Sequence, residues 1–315
     1  MYLKFKNIIL SRARELTRLV ERSVAERLHL MIVLVLVMLA LLVWFYPSNS
    51  DFKSENPHWN GTIDFLEDID AQVLYSYDPL PDKAQDTTLI VIPYIELSPE
   101  DLHRVDDYVN SGGRLLLMDD FGFGNGILEY LGLNLRFTGA QVLDPLLDYK
   151  NRNFPKVIDF SGAPAANGVG SLVFNHATSL SDTSTGDVVA WSSYFSFLDE
   201  NQNGQWDEGE PKGHLPVIAE FSIGEGELFV ISDPSILISS MLDMEDNRQF
   251  LENIIQGQMF FDQAHLPDAT LDEAKVVLKV TRRTMATVWG TLGLIALLLI
   301  LILKPMRNIK LFKVK

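Results

Sequence analysis

The chain has 315 residues, enough for one large or two small domains, and contains no cysteine, which removes disulfides, thiolate metal sites and cysteine nucleophiles together. Its formal net charge is −16, and the charge is segregated: residues 1–29 and 304–315 are basic, while the stretch between them carries fourteen basic and thirty-nine acidic residues. Acidity of that degree excludes a polyanion such as nucleic acid as the natural partner of the middle region.

Residues 1–29 read as a basic amphipathic cytoplasmic segment, with Arg12, Arg14, Arg18 and Arg22 around an apolar side that includes Leu16, Leu19 and Val20. It suits either the inner leaflet, with membrane lipids as its partner, or a cytoplasmic extension of the following helix. Residues 30–46 are 17 apolar positions without a charge, and residues 285–303 are a second such run of 19. Each is long enough for a transmembrane helix across about 30 Å of hydrocarbon. The charged flank before the first run is too long for a signal peptide, and Trp44 and Tyr46 suit an interface. Basic ends stay inside, so both termini are expected in the cytoplasm, the protein in the plasma membrane, and residues 47–284 outside as an acidic α/β domain.

Within that domain, Gly61–Asp68 reads as a short helix and Ala71–Tyr77 as a strand; Asn60-Gly61-Thr62 is a glycosylation sequon of a kind that arises readily by chance. The stretch TTLIVIPYIELSPEDLHRVDDYVNSGGRLLLMDDFGFGNG, residues 87–126, is a complete strand–helix–strand unit. Leu89–Ile92 is a buried apolar run, Ser98-Pro99 caps a helix with Leu102, Val105 and Val109 on one face, Gly112-Gly113 stops it, and Leu115–Met118 is the next strand. Two parallel strands joined by a helical crossover imply an α/β fold with a parallel sheet. A short helix follows over Ile127–Leu131, and residues 133–170 show no pattern. Strands are expected at Ser171–Phe174, Val188–Ser193 and Val217–Ile223, the last turning through Gly224-Glu225-Gly226 into Leu228–Ile231, with a helix over Asn247–Gln256. Residues 262–284 carry the chain towards the second span.

Two stretches carry candidate chemistry. Asp199, Asn201, Asn203, Gln205, Asp207 and Glu210, with Gly204 at the turn, match the twelve-residue calcium loop over 199–210, and a structural calcium ion is the expected cofactor. One copy, without a clear preceding helix, fits an isolated loop that staples a hairpin; a solvated acidic turn is the alternative. The other stretch is the loop after the second strand, where Gly122, Gly124 and Gly126 either cradle an anion or permit a tight turn. Ligands of open parallel sheets collect at the carboxyl ends of strands, so any pocket is expected among Tyr94, Asp119, Asp120, Gly122, Gly124, Asn125 and Asp233. No catalytic motif is present, and no enzyme is expected.

The residues 87–126, the upstream NPHWNGT and the downstream GEGELFVISDPSILISSMLDMEDNRQFLENII resemble the membrane-anchored proteins of domain-of-unknown-function family 4350. The same pattern resembles class I glutamine amidotransferase-like domains, including exported subunits beside some ABC transporters. That resemblance implies a flavodoxin-like (class I glutamine amidotransferase-like) parallel sheet with added β-hairpins, flanked by two transmembrane helices. It also implies an assembly role with a membrane or envelope protein, since such genes neighbour MoxR-type ATPases. Amidotransferases need a nucleophilic cysteine where this chain has Asp119-Asp120-Phe121-Gly122, so glutamine hydrolysis is not expected. The leading expectation is a non-catalytic, membrane-anchored binding or scaffold protein. The alternatives are an auxiliary subunit of a transporter or ATPase system, and a carboxylate-dependent enzyme acting on envelope glycans or peptides.

Overall fold

The computed structural model describes residues 28–29, 31–183, 187–267 and scattered positions from 272 to 293. It divides into two compact units, residues 47–269 and a unit of residues 1–46 with 270–315. In the latter unit residues 31–45 are helical, with large apolar side chains exposed along them. Among the described residues no helix is long and apolar enough to cross a membrane. Residues 1–27 of the expected basic segment, the tail 304–315 and most of the expected span 285–303 lie outside the described residues.

Residues 47–269 are built on one eight-stranded sheet. Its strands in chain order are β1 (Gln72–Leu74), β2 (Thr87–Val91), β3 (Arg114–Met118), β4 (Asp159–Phe160), β5 (Val188–Trp191), β6 (Pro216–Ile223), β7 (Gly226–Ile231) and β8 (Gln258–Asp262). They lie in the order β1-β8-β2-β3-β7-β6-β5-β4. The first five in that row are mutually parallel and the rest antiparallel. An α/β fold with a parallel-rich sheet is therefore present, as the strand–helix–strand pattern predicts, with the 217–231 hairpin added at its side. Numbered among themselves along the chain, the parallel strands run 1-5-2-3-4, whereas flavodoxin runs 2-1-3-4-5. The difference comes from β8, whose apolar Met259-Phe260-Phe261 inserts between β1 and β2. No strand is expected there from the sequence, where residues 257–261 fall between the 247–256 helix and the 262–284 return path.

The central strands are buried on both faces, and side-chain alternation divides the core in two. Leu89, Val91, Leu115, Leu117, Leu228 and Val230 pack on one face with Val105, Tyr108 and Val109 of helix α2 (Pro99–Asn110). Ile90, Leu116, Met118, Phe229 and Ile231 pack on the other with Phe250, Leu251 and Ile254 of α4 (Asn247–Ile254). Helix α1 (Ile63–Asp68) joins the second face through Phe65 and Leu66, and α3 (Asn125–Tyr130) joins the first through Ile127 and Leu128. Three expected strands are shorter than their patterns: the 71–77 strand is Gln72–Leu74, the 171–174 strand is Leu172–Val173, and the 188–193 strand ends at Trp191. Residues 133–170, patternless in sequence, supply short two-residue and three-residue strands that pair with later ones.

Backbone proximity sets the join between α2 and the hairpin. A Cβ on Gly226 would lie 2.2 Å from the Gly113 carbonyl oxygen and 2.3 Å from that of Val109. Gly226→Ala must push the hairpin off the helix end, and is expected to cost about 1–3 kcal/mol as overpacking does. Thermal unfolding should show a lower Tm, and an unchanged Tm would mean that the join has slack.

Candidate functional site

The carboxyl ends of β2, β3 and β7 lie side by side, and each delivers one of the expected polar residues. Register pairs Met118 with Ile231, and the Asp119 N–H donates to the Ile231 carbonyl at 3.1 Å. Continuing that register by one and two residues sets Asp119 abreast of Ser232 and Asp120 abreast of Asp233. Alternation then turns Asp120 and Asp233 towards the face that holds α4, where Tyr94 also packs.

Asp119 is 2% exposed, and its carboxylate is consumed locally. It accepts N–H bonds from Phe121 at 2.8 Å, Gly122 at 3.0 Å and Gly124 at 2.6 Å. Burial pushes this carboxyl up, against the downward pull of those amides. The glycine loop thus wraps the chain's own carboxylate; the Gly122 and Gly124 amides, an anion cradle in prospect, already have an anion. Gly122 needs its φ of +100° for that wrap. Asn125 is likewise engaged within the fold, donating Nδ2 to the Phe137 carbonyl at 3.0 Å and accepting the Phe137 N–H at 2.8 Å. Asp119, Gly122, Gly124 and Asn125 are therefore engaged in the loop itself, which leaves three of the seven expected residues.

Those three are Tyr94, Asp120 and Asp233. Asp233 is fully buried; its carboxylate accepts the Asn175 N–H at 2.6 Å and the Ser235 N–H at 2.8 Å. Burial nevertheless pushes it up to about 7. Asp120 is pushed up to about 8, by burial first and then by the charges of Asp233 and Asp119. Its Oδ1 is buried with no hydrogen-bond partner among the described residues, and so is the Oγ of Ser232, a residue with no motif around it in the sequence. Burial, then the nearby Asp120 and Asp51 charges, push the Tyr94 phenol well up, so it is a neutral donor. Beside it stand Phe121 at 5.7 Å and Phe123 at 6.4 Å between ring centres, exposed by 59% and 42%. The site combines two carboxyls that hold protons near neutral pH with three aromatic rings.

The 199–210 loop lies elsewhere, closing a hairpin: Phe197–Asp199 pairs with Gln141–Leu143, and the Leu198 N–H donates to the Pro211 carbonyl at 2.9 Å. Asp199 accepts N–H bonds from Asn203 at 3.1 Å and Gly204 at 2.9 Å. Asn201 and Asn203 donate to Asp207 at 2.7 and 2.6 Å, which holds that carboxyl below its ordinary value. Glu210 accepts from the Glu200 and Asp207 amides, both at 3.0 Å. The loop carries five oxygen-bearing side chains of the hard type that calcium takes, each engaged with other groups of the loop. Gln205 contributes its N–H to Asn203 at 2.7 Å. Among the described residues, the trio whose acidic and imidazole groups approach within metal-sharing distance is instead His103, Asp106 and Asp107 on α2.

A family model described as Domain of unknown function (DUF4350) matches residues 54–255. No curated protein matches the chain. Among solved structures it is similar to "mmIFT52 N-terminal domain", with 14% identity, 53% of this chain and 74% of that one covered, and a TM-score of 0.41. It is similar to a beta-galactosidase from Bacillus circulans sp. alkalophilus, with 15% identity, 52% and 22% covered, and a TM-score of 0.31. An exo-beta-1,4-mannosidase from Opitutaceae bacterium strain TAV5 gives 10% identity, 54% and 26% covered, and a TM-score of 0.28. All three TM-scores lie below 0.5, too low to carry an activity across.

Asp120 makes the site's electrostatics testable. Its folded value of about 8 lies above the ordinary carboxyl value of 3.8, so the folded chain holds the proton more tightly than the unfolded one. Its stabilising contribution is full below about 4 and is lost as pH rises through about 8. Asp120→Asn removes the burden of the ionised form, and is expected to raise the Tm relative to the parent at pH 9 but not at pH 4. A variant less stable than the parent at pH 9 would contradict the assignment.

Proposed function

We propose, from the premise that the chain belongs to the DUF4350 family, that it is a membrane-tethered extracytoplasmic binding protein whose strand-end site takes an uncharged, hydroxyl-rich ligand such as an envelope glycan. The observation that carries the reading is Asp120 Oδ1, a buried carboxyl oxygen without a partner among the described residues, beside Asp233 at the ends of adjacent parallel strands. A buried polar atom left unpaired is costly, and a ligand hydroxyl supplies the missing bond. Hydroxyls donate to a carboxylate and accept from a protonated carboxyl or phenol, so Asp120, Asp233 and Tyr94 suit them in either state. Anionic ligands meet three aspartates and are disfavoured. Phe121 and Phe123 offer apolar ring faces next to these polar groups.

Tethering is supported by the uncharged runs 30–46 and 285–303, by the basic flanks and by the exposed apolar helix over residues 31–45. An assembly with a membrane or envelope protein belongs to the same reading. The 199–210 loop serves as a structural calcium staple through Asp199, Asn201, Asn203, Asp207 and Glu210, with the Gln205 carbonyl completing the cage. A second reading, a carboxylate-dependent enzyme acting on envelope glycans or peptides, is favoured by one specific observation. Asp120 and Asp233, abreast and raised to about 8 and about 7, are poised for proton transfer near neutral pH.

Saturation-transfer NMR with a panel of neutral oligosaccharides built from N-acetylglucosamine, galactose and mannose should detect binding at pH 6.5. Affinity should fall by at least about tenfold in Asp120→Ala, the loss of one or two hydrogen bonds to a charged or polar centre. Silence across the panel, or equal binding by the variant, removes the glycan assignment. Reducing-end release from a bound oligosaccharide, reduced about a hundredfold or more in Asp120→Asn, would move the protein to the enzymatic reading.

The calcium staple has its own test. Calcium at a hundred times its Kd should stabilise the fold by about 2.7 kcal/mol, reversed by chelation. Asp199→Ala should abolish that shift, and a parent Tm indifferent to calcium would dismiss the staple.

A further inference from the structure

A second buried cluster sits at the carboxyl ends of β1 and β8, and no part of the binding site described above uses it. Asp262, the last residue of β8, is 0% exposed. Its Oδ2 accepts the Tyr77 hydroxyl at 3.1 Å and lies 2.7 Å from His265 Nδ1. The Tyr77 oxygen is also 3.3 Å from that nitrogen. On its other side, His265 Nε2 stands 3.6 Å from Oδ2 of Asp101, in the first turn of α2. The imidazole is thus held between two carboxylates from different elements. Arg104, one turn along α2, is turned to the Leu80 carbonyl at 2.9 Å and to Asp82 at 3.7 Å. Lys53 donates to the Leu266 carbonyl at 3.4 Å.

The turn that carries His265 is laced to the strand-end site. The His265 carbonyl accepts the Tyr94 N–H at 3.0 Å. Gln263 Oε1 accepts the Ser54 N–H at 3.1 Å and its hydroxyl at 2.8 Å, and the Gln263 N–H donates to the Leu74 carbonyl at 2.8 Å. We propose that the Asp262–His265–Asp101 bridge is a proton-operated latch that positions Tyr94 in the strand-end site; the inference rests on the assignment of Tyr94 to that site.

The chemistry follows from the two ring nitrogens. An imidazolium donates from both, to Asp262 and towards Asp101. A neutral ring can donate from one only, so its other nitrogen presents a lone pair to a carboxylate. Burial pulls the His265 value down, but the hydrogen bond and charge of Asp262 and the charge of Asp101 outweigh it, and the net direction is up. A raised folded value means that the bridge stabilises fully below the ordinary 6.5, and that this stabilisation is lost as pH rises through the folded value. Losing it frees the 262–266 turn, and with it the carbonyl that holds the Tyr94 amide.

Hydrogen exchange of the Tyr94 amide, corrected for the intrinsic pH dependence of exchange, tests this in the full chain without any ligand. Protection should fall by at least about tenfold between pH 6 and pH 9, as the loss of a charge-assisted bond implies. The fall should track the titration of His265 followed by its ring proton signals. Asp101→Asn should move the midpoint to lower pH, and His265→Gln should show low protection already at pH 6. Constant Tyr94 protection in the parent while His265 titrates would overturn the latch, as would an Asp101→Asn midpoint equal to the parent's. Because no ligand enters this measurement, its failure is separate from a failure of glycan binding.

Discussion

Burial of the central strands on both faces is the constraint from which the rest of the structure follows. Leu89–Val91, Leu115–Met118 and Leu228–Ile231 are almost wholly enclosed, and none of these runs carries a polar side chain. The first positions free to be polar are those just beyond the strands, and parallel pairing brings those positions to one edge. The polar residues that follow these strands therefore collect at that edge. Tyr94, Asp119, Asp120, Ser232, Asp233 and, one strand along, Asp262 all occupy the residues where the apolar runs stop.

What separates these groups is how each is satisfied. Asp119 finds three backbone amides in the loop it organises, and Asp262 finds Tyr77 and His265. Asp233 finds two amides but remains buried enough to hold a proton. Asp120 has its Oδ1 unsatisfied among the described residues, and feels the other two carboxyls. A gradation from engaged to unengaged runs along one sheet edge. It also explains why like charges can be crowded there: the crowding is tolerable only when some of the carboxyls are neutral.

The strand–helix–strand unit over residues 87–126 was legible because each of its signals is local: a β-branched run, a Ser-Pro cap, a glycine stop. Ser98 does cap α2, its hydroxyl accepting the Asp101 N–H at 3.2 Å. The hairpin over 217–231 was legible for the same reason. The strand Gln258–Asp262 carried an apolar triplet that length alone kept ambiguous, and its place between β1 and β2 depends on partners nearly two hundred residues away. Within the site, the residue types at 94, 119, 120 and 233 could be read as strand-end candidates, but adjacency in sequence concealed their different roles. Neighbours Asp119 and Asp120 point to opposite faces of the sheet, one into a loop of amides and one beside Asp233. His265 was not legible at all, since its carboxylate partners come from β8 and from α2, and the second lies 164 positions away by chain numbering.

On the proposed reading a carboxyl at the end of β3, that of Asp120, is held protonated, in place to meet an uncharged ligand. Carbon-13 NMR titration of the aspartate side-chain carboxyls, with Asp120→Asn identifying the signal, tests it most directly. The Asp120 carboxyl should ionise near pH 8, the value its burial and the Asp233 and Asp119 charges impose. An Asp120 signal that titrates near 4, as a solvated carboxyl does, would contradict it.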